Sequence, residues 1–145
     1  MKEINKDILT VTEGIIGHQV NCKGVMGAGL ALNLRNRYPN IFTEYKANPP
    51  ALGHTQLVQV TDKLHIANIA GQDSYGVNGI HTNYEALGKA LAQLNDMNKQ
   101  GLVICLPYKL GAGLAGGDWN IIKEIIESNV PSAIICKYPG FRYRK

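Results

Sequence analysis

Two glycine-rich segments hold the residues with the clearest chemical potential. Asn21-Cys22-Lys23-Gly24-Val25-Met26-Gly27-Ala28-Gly29 and Tyr108-Lys109-Leu110-Gly111-Ala112-Gly113-Leu114-Ala115-Gly116-Gly117-Asp118 each follow an apolar run and open a helical pattern. A strand, a glycine loop and a helix N-terminus together offer unpaired amide donors and the positive end of the helix to an anion. Two such loops could clasp a diphosphate; the bland alternative is that the glycines only make tight turns. The first loop misses the Gly-x-Gly-x-x-Gly dinucleotide fingerprint. The second fits it literally at Gly111 to Gly116, but no acidic ribose ligand preceded by a second matching strand stands about 20 residues on, and the loop lies late in the chain.

The side chains beside these loops leave several roles open. Lys23 can neutralise phosphate or extend into water. Asp118 can serve as a general base, although its place before an apolar helical run favours an N-cap. Asp73, with Gln72 and Tyr75 nearby, is a weaker base candidate. Cys22 has no neighbouring His-Asp arrangement and reads as a small packing residue. His54, His65 and His81 lack metal-ligand spacing, so neither a metal nor a cofactor is expected.

The elements that must position these groups alternate between β-like and helical patterns. Strands are predicted at Ile8 to Val11, Ile15 to Val20, Gln56 to Val60, Leu64 to Ile69, Leu102 to Leu106 and Ala133 to Tyr138. Their near-continuous Ile, Val and Leu content suits burial on both faces. Helical spacing of Leu30, Ala31, Leu34 and Tyr38 predicts a helix from about Ala28 until Pro39 stops it. A weaker helix fits Ile41 to Ala47 before Pro49-Pro50. Thr82-Asn83-Tyr84-Glu85 has capping-box spacing ahead of Leu87, Leu91 and Leu94. The last helix follows Asp118, with Ile121, Ile122, Ile125 and Ile126 as its stripe, and Trp119 packs it on the sheet. This order predicts an α/β fold: a three-layer α/β/α sandwich with a mixed central sheet, ligands binding beyond the strand carboxyl ends.

A length of 145 residues with 45% hydrophobic content suits a single domain over 1–145 and excludes a disordered chain. No apolar run approaches the ~20 residues of a membrane span. With no signal-like N-terminus and three cysteines out of Cys-x-x-Cys spacing, a cytoplasmic protein is expected. The net charge of +4 favours anionic partners, yet Lys137, Arg142, Arg144 and Lys145 supply much of it. Seven scattered tyrosines do not make a nucleic-acid platform, so no specific nucleic acid and no membrane is expected as partner.

Taken in order, these motifs resemble those of the macro domain family, which binds ADP-ribose. Asn5-Lys6-Asp7-Ile8-Leu9 resembles its opening motif, whose Asp meets the adenine amino group; Asp7 and Ile8 are thereby implied as ligand contacts. Val20 to Ala31 resembles the loop around the distal ribose and diphosphate, implicating Asn21, Lys23, Gly27, Ala28 and Gly29. Leu106-Pro107 through Leu114 resembles the second phosphate loop, implicating Gly111, Ala112, Gly113, Leu114 and Ala115. Tyr138 resembles the aromatic against adenine, and Tyr75 could cover the distal ribose or equally serve as a partly buried loop anchor. Gly24-Val25-Met26-Gly27-Ala28-Gly29-Leu30-Ala31 is closest to a divergent branch. That branch holds terminal ADP-ribose glycohydrolases, toxin-linked macro antitoxins and the yeast ADP-ribose 1″-phosphate phosphatase, and Arg37-Tyr38-Pro39 strengthens the last likeness.

The resemblance implies a phosphatase acting on ADP-ribose 1″-phosphate. The alternatives are an ADP-ribosyl hydrolase on modified macromolecules and a non-catalytic ADP-ribose reader. Of the common Asn-Ala-Ala-Asn signature only Asn21 is matched, and the loop from Asn68 to Gly76 lacks the lysine nucleophile of the branch's glycohydrolases. For phosphate release the catalytic candidates are Asn21, orienting water or a ribose hydroxyl, His18, matching a histidine of the yeast enzyme, and Asp118. His18 has an equally simple reading as a hydrogen-bonded core histidine.

Overall fold

A computed structural model of the chain describes residues 1–76 and 78–139. The cationic Arg142, Arg144 and Lys145 lie outside the described residues. Six strands, β1 (Lys2–Asn5), β2 (Gly14–Gln19), β3 (Thr55–Gln59), β4 (Leu64–Ile69), β5 (Ile104–Pro107) and β6 (Ile134–Lys137), form one sheet in the order β1-β6-β5-β2-β4-β3. All neighbours run parallel except β3, which pairs antiparallel with β4 at the edge. The sheet is therefore mixed, as the sequence predicts.

Helices α1 (Gly29–Arg37) and α2 (Asn40–Ala47) cover one face, and α3 (Tyr84–Met97) and α4 (Trp119–Asn129) the other. Successive strand residues point to opposite faces, which separates two cores. Ile16, Val20 and Ile66 pack with Leu34, Ile41 and Tyr45 beneath α1 and α2. Ile15, Ile69, Ile104, Leu106 and Ile135 pack with Leu87, Leu91, Leu94, Ile122 and Ile126 beneath α3 and α4. Each of these Ile and Leu side chains contributes about 1.5–3 kcal/mol through burial. Among the described residues no helix is long and apolar enough to cross a membrane.

Three local expectations are corrected. Ile8 to Val11 is not a strand: Ile8–Thr10 forms a single 3₁₀ turn capped by Asp7, whose Oδ1 accepts from Leu9 N at 2.9 Å. The first strand lies earlier, at Lys2–Asn5, where only Ile4 is even half buried, because an edge strand needs little apolar content. The α3 cap is Asn83, whose Oδ1 accepts from Ala86 N at 3.0 Å, rather than Thr82. In α4 the stripe is narrower than four isoleucines: Ile122 and Ile126 are buried, whereas Ile121 is exposed.

Parallel strands place their carboxyl ends together. The segments after β1, β2, β4, β5 and β6 consequently meet along one edge of the sheet, and both glycine loops lie there.

Candidate ligand site

The first loop is built on Asn21, which is 6% exposed. Its Oδ1 accepts from Lys23 N at 2.9 Å and from Val25 N at 3.4 Å, and its Nδ2 donates to Val25 O at 2.9 Å. The amide thus folds the loop around itself, as Asn does in turns. With both ends of its amide engaged, Asn21 shapes the loop backbone and keeps no amide group free of an internal partner. Met26 anchors the loop in the core, while Gly27, Ala28 and Gly29 are exposed. Ala28 occupies the N-cap of α1 and supplies no side-chain cap, so the first-turn amides keep no side-chain acceptor there.

The second loop faces the first. A Cβ built on Gly29 would lie 3.8 Å from Leu114 Cδ1, ordinary contact between the two loops. Leu114 is half exposed, Gly111 and Ala112 are half buried, Ala115 is buried, and a Cβ on Gly113 would meet nothing within 4 Å. The backbone at Lys109 takes the left-handed φ of 65°, uncommon for a residue with a side chain. Thr82 Oγ1 donates to Gly111 O at 2.7 Å and accepts from Gln19 Nε2 at 2.9 Å; Gln19 Nε2 also donates to Gln72 Oε1 at 2.8 Å. This network ties the ends of β2 and β4 to the second loop. Cβ atoms on Gly71 or Gly111 would come within 2.5 and 2.9 Å of Gln19 Oε1, so a side chain at either position would have to displace the Gln19 amide that the network holds.

At the β2–β4 mouth, Lys23 Nζ and Asp73 Oδ2 form an exposed ion pair at 3.2 Å, and Cys22 N donates to Asp73 O at 2.9 Å. Partial burial, and then the Asp73 charge, push the Cys22 thiol above its ordinary range, which suits packing rather than nucleophilic attack. Tyr75 stands exposed on the same loop. At the other end of the sheet Lys6 N donates to Lys137 O at 2.8 Å, which sets Asp7 and the buried Ile8 beside the end of β6, where Tyr138 is exposed.

Two candidates leave the site. His18 is 2% exposed within β2, and its Nε2 lies 2.6 Å from Asn68 Oδ1. Asn68 Nδ2 donates to Gln56 Oε1 and Ile41 O, so Oδ1 is the acceptor and Nε2 carries the proton. Strand alternation turns this ring towards α2, into a polar knot under that helix, and away from the loops. Asp118 is the N-cap of α4, its Oδ1 accepting from Asn120 N at 2.9 Å, and its own N–H donates to Tyr84 Oη at 3.0 Å. Asp118→Ala should cost about 1 kcal/mol in thermal or urea denaturation, the ordinary worth of such a cap.

The residues the motifs did not announce are Tyr45, Gln19 and Thr82. Tyr45 sits four residues after Ile41 on the apolar stripe of α2, where a tyrosine reads as core; its hydroxyl reaches the first loop. The signal in the sequence is a tyrosine on an apolar helical stripe, whose phenol needs a polar partner once it is buried. Among the described residues no three His, Cys, Asp or Glu side chains converge in a metal-holding group.

No family model matches the chain. A phage T4 protein described as an uncharacterized 17.5 kDa protein in the tk-vs intergenic region is 30% identical over 141 residues, 88% of each chain. The DNA ADP-ribosyl glycohydrolase of Mycobacterium tuberculosis is 28% identical over 144 residues, covering 92% of this chain and 40% of that protein. The chain therefore spans well under half the length of that relative. A macrodomain protein from Streptomyces coelicolor shares the fold with a TM-score of 0.77 at 27% identity, over 94% of this chain and 97% of the other. Thermosipho africanus DarTG, solved in complex with ADP-ribose, gives 0.78 at 15% identity, over 99% of this chain and 42% of that one. With glycine loops meeting at one edge of a mixed sheet, and with solved macrodomains sharing that architecture along nearly its whole length, the chain has the macrodomain fold.

Proposed function

We propose that the chain binds ADP-ribose along the carboxyl edge of the sheet and hydrolyses a derivative of it, with ADP-ribose 1″-phosphate as the leading substrate. The observation that carries binding is the exposed, side-chain-uncapped N-terminus of α1 facing the Leu114 loop across ordinary contact distance. Such an arrangement supplies amide donors and a positive helix end to a diphosphate. The strand order supports the following layout of the ligand. Adenine lies by Asp7 and Tyr138 at β1–β6, the diphosphate between Gly27–Gly29 and Gly111–Ala115 at β2–β5, and the distal ribose by Tyr75 at β2–β4. These stations span three interstrand spacings, about 14 Å. The ADP-ribose held by Thermosipho africanus DarTG, which shares the fold, supports this ligand.

For the reaction, the groups at the distal end are Lys23 and Asp73. In this reading the Asp73 carboxylate takes a proton from a water whose oxygen bonds to phosphorus. The phosphorus–O1″ bond breaks, the leaving sugar oxygen is protonated from solvent, and Lys23 holds the phosphate charge. His18 and Asp118 are assigned packing and capping.

The second reading is removal of ADP-ribose from DNA, favoured by the likeness to the mycobacterial DNA ADP-ribosyl glycohydrolases. Against it, the segment from Ala70 to Gly76 carries no lysine.

Calorimetric titration with ADP-ribose, followed by phosphate release from ADP-ribose 1″-phosphate, tests both. Micromolar binding, about 8 kcal/mol, with multiple-turnover phosphate release is expected. Asp73→Asn should slow release while keeping ADP-ribose affinity. Binding without release, joined by release of ADP-ribose from modified DNA, would transfer the assignment to the glycohydrolase. Binding with neither activity would leave a reader, and absence of binding would overturn the ligand.

A further inference from the structure

We infer that Tyr45 is a positioning residue that holds the first glycine loop in its ligand-receiving shape from beneath, an assignment that rests on that loop being the ADP-ribose loop. Tyr45 lies on α2, outside both glycine motifs, and its side chain is fully buried. Its Oη is 2.7 Å from Asn21 O and 2.6 Å from Asn21 Oδ1, and it accepts from Gly24 N at 3.2 Å. One phenol proton serves the two Asn21 oxygens, while a lone pair takes the Gly24 amide. The hydroxyl therefore closes the loop from both of its sides, at the residue where β2 gives way to the turn.

Other contacts reinforce this geometry. Asn21 Oδ1 already gathers Lys23 N and Val25 N, so Tyr45 engages the hub on which the turn is wound. Burial raises the phenol to about 12, so the donor is retained throughout the neutral range. Met26, five residues past the hub, packs in the same core as Tyr45. A phenylalanine would keep that packing and leave the Gly24 amide and the Asn21 carbonyl without their buried partner. The freed loop would then have to be ordered by the ligand itself, which lowers affinity for the parts of the ligand that the loop touches.

The test compares the natural protein with Tyr45→Phe. Amide hydrogen exchange without ligand should accelerate at Gly24 to Gly27 in Tyr45→Phe while β4 amides stay protected. ADP-ribose affinity should fall about tenfold. Affinity for AMP, which lacks the distal ribose and the second phosphate, should hold within twofold. Unchanged exchange in the loop would overturn the inference, as would equal losses for ADP-ribose and AMP, which would mark a general loosening. Should the natural protein fail to bind ADP-ribose, the functional reading falls, and the exchange experiment still decides whether Tyr45 holds the loop.

Discussion

Between pH 6.5 and 4 the protein should lose about 3 kcal/mol of stability through one side chain, His18. Burial drives its pKa from the ordinary 6.5 to about 4, only partly opposed by the Asn68 hydrogen bond. Nε2 donates to Asn68, while Nδ1 is buried without a partner, so a second proton would sit on an atom with no acceptor. The sign follows from which state binds that proton first. Above pH 6.5 His18 is neutral in both states and its full contribution is present. As pH falls below 6.5 the unfolded chain takes up the proton while the folded chain excludes it, so stability declines. Below about 4 both states are protonated and the decline from this residue ends. At about 1.4 kcal/mol for each pH unit, the interval corresponds to about 3 kcal/mol.

Urea denaturation at pH 7, 5.5 and 4 checks this against His18→Gln, which keeps an amide donor within reach of Asn68 but cannot titrate. Carboxylates and the other three histidines contribute equally to both proteins, so the difference between the two curves isolates His18. The gap should narrow as pH falls. Parallel curves would mean the ring is reached by water or by an acceptor that stabilises the imidazolium.

His18 also shows where sequence reading reaches its limit. The apolar run through Gly14–Gln19 announces the strand, and the register of side chains follows from it. The distance along β2 from His18 to the loop does not reveal the acceptor: Asn68 arrives from β4, fifty residues away, and the pairing exists only once β2 and β4 lie side by side. The same applies to Tyr45 and Thr82. Each belongs to an element that was legible from periodicity or capping pattern, and each spends its hydroxyl on a loop distant in sequence. Thr82 illustrates the conflict, because its capping-box position was readable, yet Asn83 takes the cap and the threonine serves Gly111 instead. Asp118, in contrast, makes only local contacts with the start of its own helix through its side chain, and its cap was visible in the sequence. Local chemistry reads directly; chemistry that needs the sheet assembled does not.

Gly116 is the position where fold and site are most tightly joined, and Gly116→Ala should cost at least about 3 kcal/mol and weaken ADP-ribose binding more than tenfold. Its φ of 74° alone penalises a side chain by about 1–2 kcal/mol. A Cβ there would also fall 2.5 Å from Gly79 O and 3.4 Å from Ile80 Cα. These are backbone atoms of the segment between β4 and α3, so no flexible side chain can yield. That segment is fixed to the second loop by His81 N donating to Ala115 O at 2.7 Å and by Thr82 Oγ1 on Gly111 O, so displacing it pulls on the loop itself. Two further glycines separate the causes. Gly101→Ala has a comparable φ of 65° and open space around its Cβ, so it should show the backbone cost alone and leave binding intact. Gly113→Ala meets nothing within 4 Å, so it should be nearly neutral in stability while lowering affinity, because in the proposed layout the diphosphate is the neighbour its Cβ would meet. Denaturation and calorimetry on the three variants together decide the matter. Full ADP-ribose affinity in Gly116→Ala and Gly113→Ala would remove the second loop from the ligand site, whatever their stabilities.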